Sequence, residues 1–162
     1  MQNKIYVVID TNIFISALLK IESYPGTILK EIFNERFVLL INQEIWNEYR
    51  EVMSRPKFAF SANMIDEFME ILEQYSLYVN EKKCDLKFND IKDKVFYEVY
   101  KTKLHPGEVY LITGNMKHFP VEKNIISPKE FVEKIINMYY SRSWFKGLRV
   151  WRRHFGRSNC YL

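Results

Sequence analysis

Asp10, Glu48 and Asp93 are three carboxylates that could share a cation. Acids brought together repel, and some take up protons unless a cation offsets them. Hard oxygen ligands select Mg2+ or Mn2+. Such ions can bind a phosphodiester, lower the pKa of a bound water and offset charge on a leaving oxygen. The chain has 20 acids, so many triples exist. The choice therefore rests on the elements that must carry these three.

Asp10 ends an apolar run, Tyr6-Val7-Val8-Ile9, and is followed by Thr11 and Asn12. A continuous run rich in β-branched residues fits a strand buried on both faces of a parallel sheet. Ile13 to Leu19 then read as a helix with Asn12 as N-cap. Asp10 thus belongs at the carboxyl end of a buried strand, the edge where open α/β sheets bind ligands. Its plainer role is to help cap the helix.

Glu48 lies in a helix expected over about Gln43 to Ser54, capped by Asn42 and stopped before Pro56. At about 100° per residue, Glu48 borders the apolar stripe of Ile45, Trp46, Tyr49, Val52 and Met53. Glu44 and Glu51 point further into solvent. Asp93 opens a helix expected over 90–103, with Asp90 as N-cap. Negative charge in a first turn suits the helix dipole, and the same place suits a metal ligand. Thr113-Gly114-Asn115 ends a strand expected from Val109. Gly114 allows a tight turn, and Asn115 offers an amide oxygen without charge.

The remaining elements alternate. Tyr24-Pro25-Gly26-Thr27 is a turn signal, followed by helical spacing at Ile28, Leu29, Ile32 and Phe33. Phe37 to Ile41 is a second buried strand. Residues 62–75 form a helix, and Leu77 to Val79 and Asn124 to Ile126 are short strands. Ser127-Pro128-Lys129-Glu130 is a capping box opening a helix to about Tyr139. Strands alternating with helices imply a parallel sheet covered on both faces.

Bulk composition narrows the class. The 162 residues suit one domain, and 48% hydrophobic content builds a core. No stretch approaches about 18 consecutive apolar residues, so no membrane span is expected. Asp10 interrupts any leader-like apolar run. Cys84 and Cys160 form no CxxC pair and read as free thiols. A cytoplasmic protein is expected. The net charge of +4 is uneven. Six bases and no acid fall within 141–162, which leaves residues 1–140 with 18 bases against 20 acids. The chain divides into a body, 1–140, and a basic aromatic extension, 141–162. Arg149, Arg152 and Arg153 in that extension are candidate RNA contacts; the alternatives are a C-terminal helix packed by its aromatics and an irregular or altered terminus. His105, His118 and His154 carry no spacing that ties them to the acids, and read as surface or loop residues.

The stretches 7–19, 48–58, 90–96 and 110–119, followed by 126–131, together resemble the PIN-domain ribonucleases. They are most similar to the toxin components of prokaryotic toxin–antitoxin pairs. Asp10 to Glu48 spans 38 residues, with 45 more to Asp93 and 22 more to Asn115. The resemblance covers about residues 4–135. It implies a three-layer α/β/α sandwich with a central parallel sheet. It also implies divalent-metal-dependent hydrolysis of RNA, with Asp10, Glu48 and Asp93 as ligands to Mg2+ or Mn2+. Asn115 stands where the family commonly has Asp in a Thr-Gly-Asp turn. Asp90, Thr11, Asn12 and Thr113 fall on supporting positions. A cognate antitoxin and a homodimer are the partners the resemblance implies. The alternatives are a non-catalytic PIN-like module that binds RNA or protein, and an RNA-maturation nuclease without an antitoxin.

Overall fold

The computed structural model describes residues 4–104 and 107–138. The extension at 141–162, with Arg149, Arg152 and Arg153, and also His105, His154 and Cys160, lie outside the described residues. Cys84 is a free thiol.

The elements run β1 (Lys4–Ile9), α1 (Thr11–Leu19), α2 (Tyr24–Phe33), β2 (Phe37–Ile41), α3 (Gln43–Met53), α4 (Ala62–Gln74), β3 (Ser76–Tyr78), α5 (Ile91–Tyr100), β4 (Gly107–Ile112), β5 (Ile125–Ile126) and α6 (Pro128–Phe131). Five strands form one parallel sheet in the order β3-β2-β1-β4-β5. Helices cover both faces, giving the expected three-layer α/β/α sandwich. β1 is central, with Val7 opposite Leu39 on β2 and Tyr110 on β4. Val7, Val8, Leu39, Leu40, Ile41, Leu111 and Ile112 are all buried. This explains the continuous apolar runs, since neither face of the central strands meets water.

Parallel register brings the carboxyl ends of β1 and β4 level. Ile9 stands opposite Ile112, so Asp10 and Thr113 leave the sheet side by side. The Asp10 N–H donates to the Ile112 carbonyl at 3.0 Å. Tyr49 of α3 is buried, and its ring stacks on Phe14 of α1 at 4.1 Å and 8°. Its hydroxyl donates to the Ile9 carbonyl, one residue before Asp10. Tyr49→Phe leaves that carbonyl buried without its donor and is expected to lower stability by about 1–2 kcal/mol. Denaturant unfolding checks this, with a lower midpoint and an unchanged m-value.

Three local expectations are corrected. The N-cap of α1 is Asp10, not Asn12: the Asp10 carboxylate accepts the Asn12 N–H at 3.1 Å. Tyr24 to Thr27 form the first turn of α2 rather than a free turn. Ser23 caps that helix through the Gly26 N–H, and proline is tolerated at a first turn, where its missing N–H has no helical partner. A Cβ on Gly26 would fall 2.0 Å from the Ile21 carbonyl oxygen, so its glycine serves a close approach. The last helix opens at Pro128 under the Ser127 cap as expected, but passes into a π-helix over Val132–Ile136.

Candidate active site

The carboxyl edge of β1 and β4 gathers polar groups from five segments. Asp10 is 5% exposed and Thr113 0%. The Thr113 hydroxyl donates to Asp10 Oδ2 at 2.7 Å and accepts the Asn115 N–H at 3.0 Å. The two Asp10 oxygens are thus each fixed by one donor from a different element. Beside it, the Thr11 hydroxyl donates to Glu48 Oε1 at 2.7 Å, which holds α3 to the start of α1. The stripe geometry placed Glu48 at an apolar border, and its side chain is in fact largely covered. Glu44 and Glu51 stand far more exposed, as expected.

Asp90 caps α5 through the Lys92 N–H at 2.9 Å. Asp93 lies in the first turn of that helix. Its Oδ2 sits 3.0 Å from Nδ1 of His118, on the short 3-10 turn Met116–His118 after β4. His118 is exposed, as read from sequence, but its tie to Asp93 was not legible there. The two are 25 residues apart and meet only because the loop after β4 docks on α5. The positional hint was that Asn115 and His118 share one short turn beyond a strand end. Asn115 itself is exposed, and its backbone N–H fixes it to Thr113. Gly114 does not adopt a left-handed φ. A Cβ there would stand 3.4 Å from Ile13 Cδ1.

That loop is clamped a second time. Glu122 accepts the hydroxyls of Tyr97 and Tyr100 and lies 3.1 Å from the Lys101 ammonium, all on or just after α5. Burial alone would push the Glu122 carboxyl up. The donors from Tyr97, Lys101 and Tyr100 outweigh it and hold the carboxyl below its ordinary value. A depressed carboxylate stabilises the fold above its unfolded pKa, near 4.3, and that stability is lost as pH falls through the folded value. Glu122→Gln is therefore expected to cost about 1 kcal/mol at pH 7. The difference from wild type should shrink as pH falls through the folded value, as measured by denaturant unfolding across pH.

The acids feel one another. Glu48 is pushed above its ordinary value chiefly by burial, opposed by the Thr11 hydrogen bond and Lys92, with Asp10 adding repulsion. Asp93 is raised in the same way by burial, opposed by His118, with Asp10 and Asp90 adding repulsion. Asp10 is thus coupled to both other acids. Hard oxygen donors under mutual repulsion fit a divalent cation in chemistry and charge. Among the described residues, no three His, Cys, Asp or Glu side chains stand together in a ready metal-holding group. Each carboxylate instead has its own protein partner: Thr113 for Asp10, Thr11 for Glu48, and His118 for Asp93. Among the described residues, no helix is long and apolar enough to cross a membrane.

Comparison with known proteins agrees with the fold. Residues 6–117 match the PIN domain family. A protein of Methanocaldococcus jannaschii, itself uncharacterised, is 30% identical over 146 residues, covering 81% of this chain and 92% of the relative. No solved structure matches the chain.

Proposed function

Because the chain belongs to the PIN-domain family, whose members are generally nucleases, we propose that it is a divalent-metal-dependent endoribonuclease. The observation that carries this reading is the buried Asp10 at the carboxyl end of β1, tied to the β4 end through Thr113 and followed directly by Thr11, which holds Glu48. Asp10, Glu48 and Asp93 would hold Mg2+ or Mn2+, and Asn115 would act as a neutral ligand or water holder. When bound, the cation supplies activation of a water and offsets charge on the leaving oxygen. The chain's own residues prepare for this. Thr113 and the Asn12 N–H fix both oxygens of Asp10, and each ionised oxygen keeps acceptor capacity beyond the one donor it has. Thr11 orients Glu48 and His118 orients Asp93.

The finer reading is the toxin of a toxin–antitoxin pair, restrained by a cognate antitoxin and acting as a homodimer. Its support is the similarity of the four motifs to such toxins. Expression alone is expected to arrest growth of a host cell. Co-expression of a small neighbouring reading frame should relieve it, and growth arrest that no neighbour relieves favours a maturation nuclease.

Asn115 favours a second reading, a non-catalytic module, because it removes one negative charge from the edge. Calorimetric titration with Mn2+ separates the two. The nuclease reading expects saturable binding that Asp93→Asn weakens by about 10-fold or more. An inert module shows none.

A further inference from the structure

Glu51 and its two cationic neighbours lie beside the candidate site. Glu51 Oε1 pairs with Arg55 Nη2 at 3.0 Å, one helical turn on. Glu51 Oε2 lies 3.8 Å from Lys92 Nζ, which in turn is 3.9 Å from Glu48 Oε2. An alternating line of charge therefore runs from Arg55 over Glu51 and Lys92 to Glu48. Lys92 stands beyond hydrogen-bonding distance of both carboxylates, and 44% of its side chain is exposed. It also occupies the first turn of α5, where the helix dipole disfavours a cation. Exposed pairs of this kind contribute little to stability, so folding alone does not account for a lysine at that place. Just beyond Arg55, Lys57 lies over the ring of Phe58 at 4.8 Å, and Phe58 stacks with Phe60.

We infer that Lys92 and Arg55 together bind one phosphate of a single-stranded RNA, and that Glu51 occupies in the free protein the place that phosphate takes. A carboxylate bridging two cations is a close mimic of a phosphodiester oxygen pair. An incoming strand exchanges Glu51 for its own phosphate and lies along the end of α3, with one phosphate beside Glu48. Lys92 is a positioning residue, because it holds the strand rather than the reacting atoms. The inference rests on the nuclease reading for its substrate class.

The two sides of this ion-pair line predict opposite effects. Affinity for a labelled single-stranded RNA of mixed sequence is measured by fluorescence anisotropy in EDTA, across salt concentrations. Glu51→Gln frees both cations and is expected to tighten binding about fivefold. Lys92→Ala and Arg55→Ala are each expected to weaken it about tenfold and to reduce the salt slope by about 0.7. Lys92→Arg should retain most of the affinity, and thermal melts identify any variant that does not fold. If these pairs only decorate the surface, all variants bind alike, and that result overturns the inference. So does Glu51→Gln weakening binding, or a wild type that binds no RNA. RNA cleavage is read separately with Mn2+. Cleavage by wild type without the affinity pattern sinks this inference alone, and the affinity pattern without cleavage sinks only the nuclease reading.

Discussion

Asp10→Asn is expected to cut RNA cleavage by orders of magnitude while leaving the fold intact. Asparagine caps a helix about as well as aspartate, so α1 keeps its cap at residue 10. The Thr113 hydroxyl can rotate to accept as well as donate, so the contact between the β1 and β4 ends also survives. What disappears is the charge coupled to both other acids. Without it, Glu48 and Asp93 lose one source of upward push, and both should titrate lower than in wild type. Their repulsion falls, and so does the attraction for a divalent cation. Cleavage should drop by about 100- to 1,000-fold, with little change in melting temperature. The carboxyl carbons can be followed by NMR across pH. Glu48 or Asp93 titrating higher in the variant would contradict the coupling.

The second large effect is expected at Thr113, which is buried and touches no solvent. Its hydroxyl links Asp10 Oδ2 to the Asn115 backbone, 2.7 Å from one and 3.0 Å from the other. Thr113→Val keeps the shape and removes both contacts. Asp10 then keeps one donor instead of two, and the Asn115 N–H loses its acceptor. Stability should fall by about 1–3 kcal/mol, the range for stranding buried polar groups. Mn2+ affinity should fall about 10- to 100-fold, the usual penalty for losing a residue that orients a ligand. Thr113→Ser, which keeps the hydroxyl, should recover most of the metal affinity. A Val variant that binds Mn2+ as wild type does would show that Asp10 needs no orientation.

Much of this site is legible in the sequence because it hangs on strand ends. A buried parallel strand is continuous in apolar residues, so its carboxyl end is marked by the first polar residue, Asp10 on β1 and Thr113 on β4. Helical spacing likewise separates Glu48 from Glu44 and Glu51, because only one of the three borders the buried stripe. Contacts between loops carry no such periodicity. The pairing of His118 with Asp93 and the hold of Tyr97 and Tyr100 on Glu122 depend on how one loop settles on α5. Neither follows from residue spacing. The start of α2 was hidden for a different reason. Pro25-Gly26 has the composition of a turn, yet Ser23 supplies a cap and Gly26 a close approach, both of which belong to a helix start. The capping role of Asp10 and its place among the acids are compatible, because the cap uses one carboxylate oxygen and Thr113 the other.

The most direct test of the nuclease reading is cleavage of a labelled RNA panel with Mn2+, Mg2+ or EDTA, using wild type beside Glu48→Gln and Asp93→Asn. Cleavage by wild type with either metal, none in EDTA, and none by either folded variant is the predicted result. Cleavage that persists in EDTA, or metal-dependent cleavage that both variants retain at wild-type rate, would contradict it.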